Sequence, residues 1–292
     1  MNGNLTNMSK NASFSVIAPA KLNLFLHINA RRDDGYHELE TLFTFLNFGD
    51  ELTFEELNST RIFVTGDTQS IALTDNLIYK AALLLQTHSK TKRGVKINLT
   101  KRLPMGGGVG GGSSDAATTL LTLNKLWDLN YDLDTLARLA LTLGADVPVF
   151  VRGQTAIAHG IGEDLHQVEL TQKWYCVVHP NQHISTAEIF THPDLKRDTP
   201  KIIGDWKTHT LTNDCEPLVK KLCPEVENTL QWLLKYAPSK MTGTGSCCFV
   251  EFNTQAQAQD VLANLPHTWL GFVASSANTS PAHTELAAIF DQ

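Results

Sequence analysis

The 292-residue chain is short of cysteine, of long apolar runs and of positive charge, and each shortage removes a class of protein. Five cysteines (Cys176, Cys215, Cys223, Cys247 and Cys248) form no C-x-x-C pair. A zinc site or disulfide framework is therefore not implied, and buried or idle thiols in a reducing compartment are expected. No 18-residue apolar run is present, which excludes a membrane-spanning helix. The first fourteen residues lack the basic-then-apolar order of a secretion signal and the Arg-rich character of a transit peptide, so N-x-S/T triplets at Asn4, Asn11 and Asn98 carry no weight. Lys and Arg number 24 against 30 Asp and Glu, a net charge of −6, which argues against nucleic acid as a partner. A cytoplasmic globular protein without membrane partners is expected; its oligomeric state leaves no mark in the sequence.

Hydrophobic residues make up 42% of the chain, enough to offset the entropy of ordering it, and the length suits about two domains. Residues 1–12 are polar and expected to fray. Strand-like apolar residues begin at Phe14 and break at Pro19. Leu22, Leu24, Leu26 and Ile28 then alternate with Lys21, Asn23, Phe25 and His27. Short strands are predicted at 51–54, 61–64 and 94–99, and a helix over 77–85 capped by Asp75. Further helices are predicted over 133–143, with Gly144 as C-cap, and over 225–236 and 254–265. The apolar run 147–151 reads as a short strand or buried turn. Without a regular βαβ cadence the fold class is α+β rather than doubly wound, with a boundary near 160–172 and no internal repeat.

Residues 104–114, Pro-Met-Gly-Gly-Gly-Val-Gly-Gly-Gly-Ser-Ser, are the most biased window. Six glycines in seven positions between a strand and a helix imply positive φ or close approach of backbone to a ligand. Inward-facing amides and the positive end of a helix starting near Ser114 would cradle phosphate, and Ser113 and Ser114 add hydroxyls. Behind them Ala116, Leu120, Leu123 and Trp127 form one helical stripe. Gly106, Gly108 and Gly111 satisfy G-x-G-x-x-G, but no second strand bears an acid at the dinucleotide-fold offset. No Lys-Ser/Thr follows the last glycine, and no H-R-D loop occurs, which excludes a P-loop and a protein kinase. A triphosphate loop of another kind remains.

That loop resembles the ATP loop of the galactokinase, homoserine kinase, mevalonate kinase and phosphomevalonate kinase (GHMP) superfamily. Pro19-Ala20-Lys21-Leu22-Asn23-Leu24, Asp34-Gly35-Tyr36-His37 and 143–150 (Leu-Gly-Ala-Asp-Val-Pro-Val-Phe) resemble the branch whose acceptor is a cytidine-diphosphate-linked methylerythritol. So do Asn213-Asp214-Cys215-Glu216 and Thr242-Gly243-Thr244-Gly245. The resemblance covers most of 14–282. It implies an N-terminal ATP- and substrate-binding domain (1–165) with a mixed sheet, and a ferredoxin-like C-terminal domain (166–292). It further implies ATP and Mg²⁺ as cofactors and phosphorylation of the acceptor's 2-hydroxyl in non-mevalonate isoprenoid synthesis.

From position alone, Asp146 is either a capped turn residue or a held catalytic group; the resemblance makes it the general base. Lys21 is either solvent-facing or, by resemblance, stabilises charge beside that base. Asn23 shares its strand face and can reach the same site. By resemblance Tyr36, His37 and Phe190 flank cytosine. The loop Pro104, Met105, Gly106, Gly107, Gly108, Val109, Gly110, Gly111, Gly112, Ser113 and Ser114 holds the nucleotide, with Asn76 and the approach from Lys101 lining an adenine pocket. Val109 stands where Leu is usual. Asp115, where Asn is also common, is expected to point outward or toward Mg²⁺, whose protein ligands the sequence does not identify.

Overall fold

The computed structural model describes residues 13–68 and 71–291. The expected fraying at 1–12 lies outside them. The first half runs β1 (Phe14–Arg31), β2 (His37–Leu57), β3 (Ile62–Gly66), α1 (Leu77–Ser89), β4 (Gly94–Thr100), α2 (Gly111–Leu126), α3 (Leu133–Leu141), α4 (Val147–Arg152), β5 (Ala156–His159) and β6 (Asp164–Gln167). The second half runs β7 (Trp174–His179), α5 (Thr186–Thr191), α6 (Glu216–Leu222), α7 (Pro224–Leu233), β8 (Ser239–Met241), β9 (Cys248–Phe252), α8 (Gln255–Ala263), β10 (Leu270–Ala277) and α9 (Pro281–Phe290).

In the first half the long antiparallel pair β1–β2 is flanked by β4 and β5 on β2, with β3 parallel to β4. In the second half the order is β8-β9-β7-β10, all neighbours antiparallel. A βαββαβ chain with its first strand between its third and fourth is the ferredoxin-like arrangement, as expected. β10 joins the halves through Ser276↔Leu46 and Ala277↔Phe45.

Three apolar cores follow from these layers, and β1 threads all of them. Val16 and Ala18 lie in a core with α1, α2, α3 and α4, while Leu26 and Ile28 lie in another with α5, α6, α7 and α8. Between them Ala20 and Leu22 pack with Leu46, Val109 and the inner residues of β7, Tyr175 and Val177. The alternation of β7 thus turns Cys176 and Val178 to the helices and Tyr175 and Val177 to the glycine loop. α9 returns to the first core through Ala282 and Leu286.

Five local expectations need correction. The first strand does not break at Pro19 but runs on to Arg31, with only a slip in its pairing there, because β2 continues beside it. Asn76, not Asp75, caps α1, its Oδ1 accepting from the amides of Ile78 (2.9 Å) and Tyr79 (3.4 Å). Residues 147–151 are helical: an apolar run this short has no period that separates strand from buried helix, and Pro148 in the first turn is preorganised for the latter. α3 closes at Thr142, short of Gly144. α2 begins at Gly111 and is buried on every side from Ser114 to Asn124, not along one stripe, because small Ala and Thr residues let α1, α4 and β1 close around it. Of the basic run 90–102, Arg93, Lys96 and Arg102 pair with Glu56, Glu55 and Glu51 on β2, and Lys101 turns inward.

Candidate active site

Where the two halves meet, a cleft of about 700 Å³ opens. Every residue predicted for the site lines it except Val109, which is buried in the middle core, and Ser114, which is fully buried under the loop.

The floor is set by β1. Its pairing with β2 slips between Pro19 and Lys21 and again between Asn23 and Phe25. Lys21, Leu22 and Asn23 form the one regular step between the two bulges, which aims the first and third side chains to one face. Lys21 is only 3% exposed, donates from Nζ to Asn23 Oδ1 at 2.5 Å, and lies 5.2 Å from the centre of the Phe43 ring. Its third neighbour is Asp146 Oδ2 at 3.4 Å. Asp146 occupies the N-cap position of α4 but accepts no hydrogen bond from the helix amides. Of the alternatives left open by sequence the capping role is not taken, and at 46% side-chain exposure the carboxylate faces the cleft.

The roof is the glycine loop. Gly106, Gly108 and Gly110 adopt φ of +66°, +74° and +77°, the left-handed region that L side chains avoid. No side chain caps α2 at Gly110, so its first amides stay open. The loop is tied down on both sides. Val109 O accepts from Lys21 N and Gly107 O from Cys247 N, each at 3.0 Å. The Thr242 hydroxyl accepts from Asn23 N at 2.9 Å and faces Gly108 O at 3.5 Å. Asn213 Nδ2 donates to the carbonyls of Met241 and Gly243 at 2.9 and 2.8 Å, fixing the second glycine turn against the first. In sequence these two segments carried only a resemblance; their work is to lock loop against loop.

Beneath the roof lies a cluster that sequence reading missed. Lys101 Nζ bridges Asp50 Oδ2 (2.5 Å) and Asp115 Oδ2 (3.1 Å), and Asp50 Oδ1 accepts from the amides of Arg102 and Leu103. Asp115 therefore points neither to solvent nor to the cleft: it is 4% exposed and held inward by Lys101. The lysine comes from β4's exit and Asp50 from mid-β2, so no spacing in the chain announces the group. Burial opposes charge on Lys101, but the two carboxylates outweigh it and raise its pKa. Burial, aided by Asp50 and opposed by Lys101, pushes Asp115 up to about 7.

An unfolded Asp releases its proton near pH 4, so between about pH 4 and 7 the folded state binds more protons and stability falls as pH rises. Asp115→Asn removes that penalty. Its Tm exceeds that of the parent at pH 8, and the gap narrows by more than half at pH 5, which calorimetry at both pH values reads. A Tm below the parent's at pH 8 would mean that the bond to Lys101 outweighs the cost of burial.

A glycine loop leading into a helix with open first amides, a buried lysine and an adjoining uncapped carboxylate in one cleft between a mixed-sheet half and a ferredoxin-like half fit a small-molecule kinase of GHMP type. Comparison with known proteins agrees. The model of the GHMP kinases N terminal domain matches residues 76–154, and that of the GHMP kinases C terminal region matches 192–270. The 4-diphosphocytidyl-2-C-methyl-D-erythritol kinase of Pseudoalteromonas translucida is 80% identical over 97% of this chain and all of its own length. That of Tolumonas auensis is 57% identical over 94% of this chain and 96% of its own. A crystal structure of 4-(cytidine 5'-diphospho)-2C-methyl-D-erythritol kinase superimposes with a TM-score of 0.79 at 31% identity, covering 90% of this chain and 99% of that one. Homoserine kinase from Cytophaga hutchinsonii shares the fold, with a TM-score of 0.67 at 16% identity and coverage of 96% and 98%. The chain belongs to the 4-diphosphocytidyl-2-C-methyl-D-erythritol kinase family of the GHMP kinases.

Proposed function

We propose that this cleft transfers the γ-phosphoryl group of ATP to the 2-hydroxyl of 4-diphosphocytidyl-2-C-methyl-D-erythritol, giving the 2-phosphate and ADP in non-mevalonate isoprenoid synthesis. The observation that carries the reading is the uncapped Asp146 carboxylate, 3.4 Å from a buried lysine and sharing a cleft with the open amides of α2. Transfer to an alcohol needs in-line positioning, neutralisation of charge and a proton acceptor. Asp146 takes the hydroxyl proton. Lys21, oriented by Asn23, offsets the charge that develops on the attacking oxygen. The loop from Pro104 to Ser113 and the positive end of α2 hold the triphosphate, and Asn76 with Met105 faces the adenine. Tyr36, His37 and Phe190 form the cytosine end.

Among the described residues no group of three or more His, Cys, Asp or Glu is arranged to hold a metal ion. Oxygen donors on or beside the cleft suit Mg²⁺ carried mainly on phosphate: Ser113 and the buried Ser114 hydroxyl, which has no hydrogen-bond partner. When bound there, Mg²⁺ would neutralise phosphate charge. The expected cut at 165/166 falls inside β6, which pairs with β5, so we place the division after Gln167; separate cores support it, with α9 packing across it.

An ADP-release assay tests the assignment. Turnover is expected with the cytidylated alcohol and absent with mevalonate or homoserine, and CDP should compete with the acceptor. ATP binding without acceptor-dependent turnover would instead indicate a nucleotide-binding protein that lacks the reaction.

A further inference from the structure

One contact at the cytosine end has no part in phosphoryl transfer. Arg197, in the segment that follows α5, donates from Nε to Nε2 of His37 at 2.9 Å. The rest of its guanidinium is spent on main-chain carbonyls: Leu195 at 3.0 Å, Phe190 at 2.9 Å and His192 at 2.7 Å. The Phe190 ring lies against the His37 imidazole, centres 5.1 Å apart at 36°. His37 is 7% exposed and lines the cleft.

Guanidinium has donors only and stays charged at any working pH, so Nε2 of His37 must be the acceptor in this bond. The hydrogen of the neutral ring is then on Nδ1, the reverse of the tautomer that a free histidine prefers in water. We infer that Arg197 is a positioning residue that locks His37 as the Nδ1–H tautomer, so that the ring offers the nucleobase a hydrogen-bond donor and no lone pair. The inference rests on the cytidine reading above. Cytosine carries acceptors at O2 and N3, which such a ring can meet; the other tautomer would set lone pair against lone pair.

Charge on the ring is held off from every side. Burial, then Arg197, then Arg31 keep its pKa below the ordinary histidine value; Arg31 is paired with His37 in the β1–β2 register, and α5 presents only the uncharged Phe190 ring. With the ring kept neutral, the bond from Arg197 Nε selects its tautomer.

Nitrogen-15 NMR of the full-length enzyme reads this directly and needs no variant: His37 Nε2 should resonate as an unprotonated nitrogen and Nδ1 as a protonated one. A proton found on Nε2 overturns the inference. In Arg197→Met the ring should shift toward Nε2–H, and KM for the cytidylated acceptor should rise about tenfold at pH 8 while KM for ATP moves less than twofold. Below pH 6 that penalty should shrink, because the protonated ring regains its Nδ1–H. In a His37→Asn background, where no tautomer exists, Arg197→Met should add nothing to the acceptor KM. An equal, pH-independent rise in both backgrounds would mean that Arg197 only holds the carbonyls after α5. If CDP does not compete with the acceptor in the parent enzyme, the cytidine reading fails. The tautomer of the free enzyme still stands or falls on its own spectrum.

Discussion

Asp146→Asn is expected to lower kcat by about 10²–10⁴-fold, the usual worth of a positioned proton acceptor, with KM for ATP nearly unchanged. The amide keeps the shape of the carboxylate but cannot take the hydroxyl proton. Stability should hardly move, because Asp146 makes no capping bond and its side chain is nearly half exposed. Lys21 loses one counter-charge and keeps Asn23 Oδ1 and the face of Phe43. Steady-state ADP release together with a melting curve separates chemistry from folding. Turnover within a few-fold of the parent, at unchanged Tm, would remove Asp146 from the role of base.

Gly108→Ala should produce the second large effect, a rise of at least tenfold in KM for ATP accompanied by a loss of Tm. A side chain at φ +74° already costs about 1–2 kcal/mol. The added Cβ would also fall 2.4 Å from Thr242 O and 3.0 Å from Gly245 O, both rigid backbone atoms. The collision is with the second glycine turn and not with the nucleotide, so the two loops must part and the cradle loses its shape. Gly112→Ala is the control for folding. Its Cβ meets only Leu77 Cδ1 at 3.5 Å within a helix, and its Tm should equal or exceed the parent's. Isothermal titration with an ATP analogue, run beside the melts, reads both. Unaltered nucleotide affinity in Gly108→Ala would count against the interlocked loops.

The Gly-rich window at 106–112 showed through in sequence because Gly106, Gly108 and Gly110 take φ values that L side chains avoid, and composition alone reveals such a need. Lys21 and Asn23 could be placed on one face by the period of a strand, and the helices expected over 225–236 and 254–265, observed at Pro224–Leu233 and Gln255–Ala263, by ordinary helical signals. Those inferences rest on local backbone physics, which a sequence carries within a few residues.

The rest depended on partners distant in the chain. Whether Asp146 caps α4 or faces the cleft was settled by Lys21, 125 positions earlier, and by a cap bond that is not made. Asp115 was held inward by Lys101, which also binds Asp50, and Arg197 reached a histidine 160 residues away. Residues 147–151 could not be read as helical in advance because short apolar runs have no period of their own. Sequence by itself determined the left-handed backbone of the glycine loop and the residue types beside it. Only the tertiary structure decided which charges those residues would face, because burial and Coulomb interactions act through space and not along the chain.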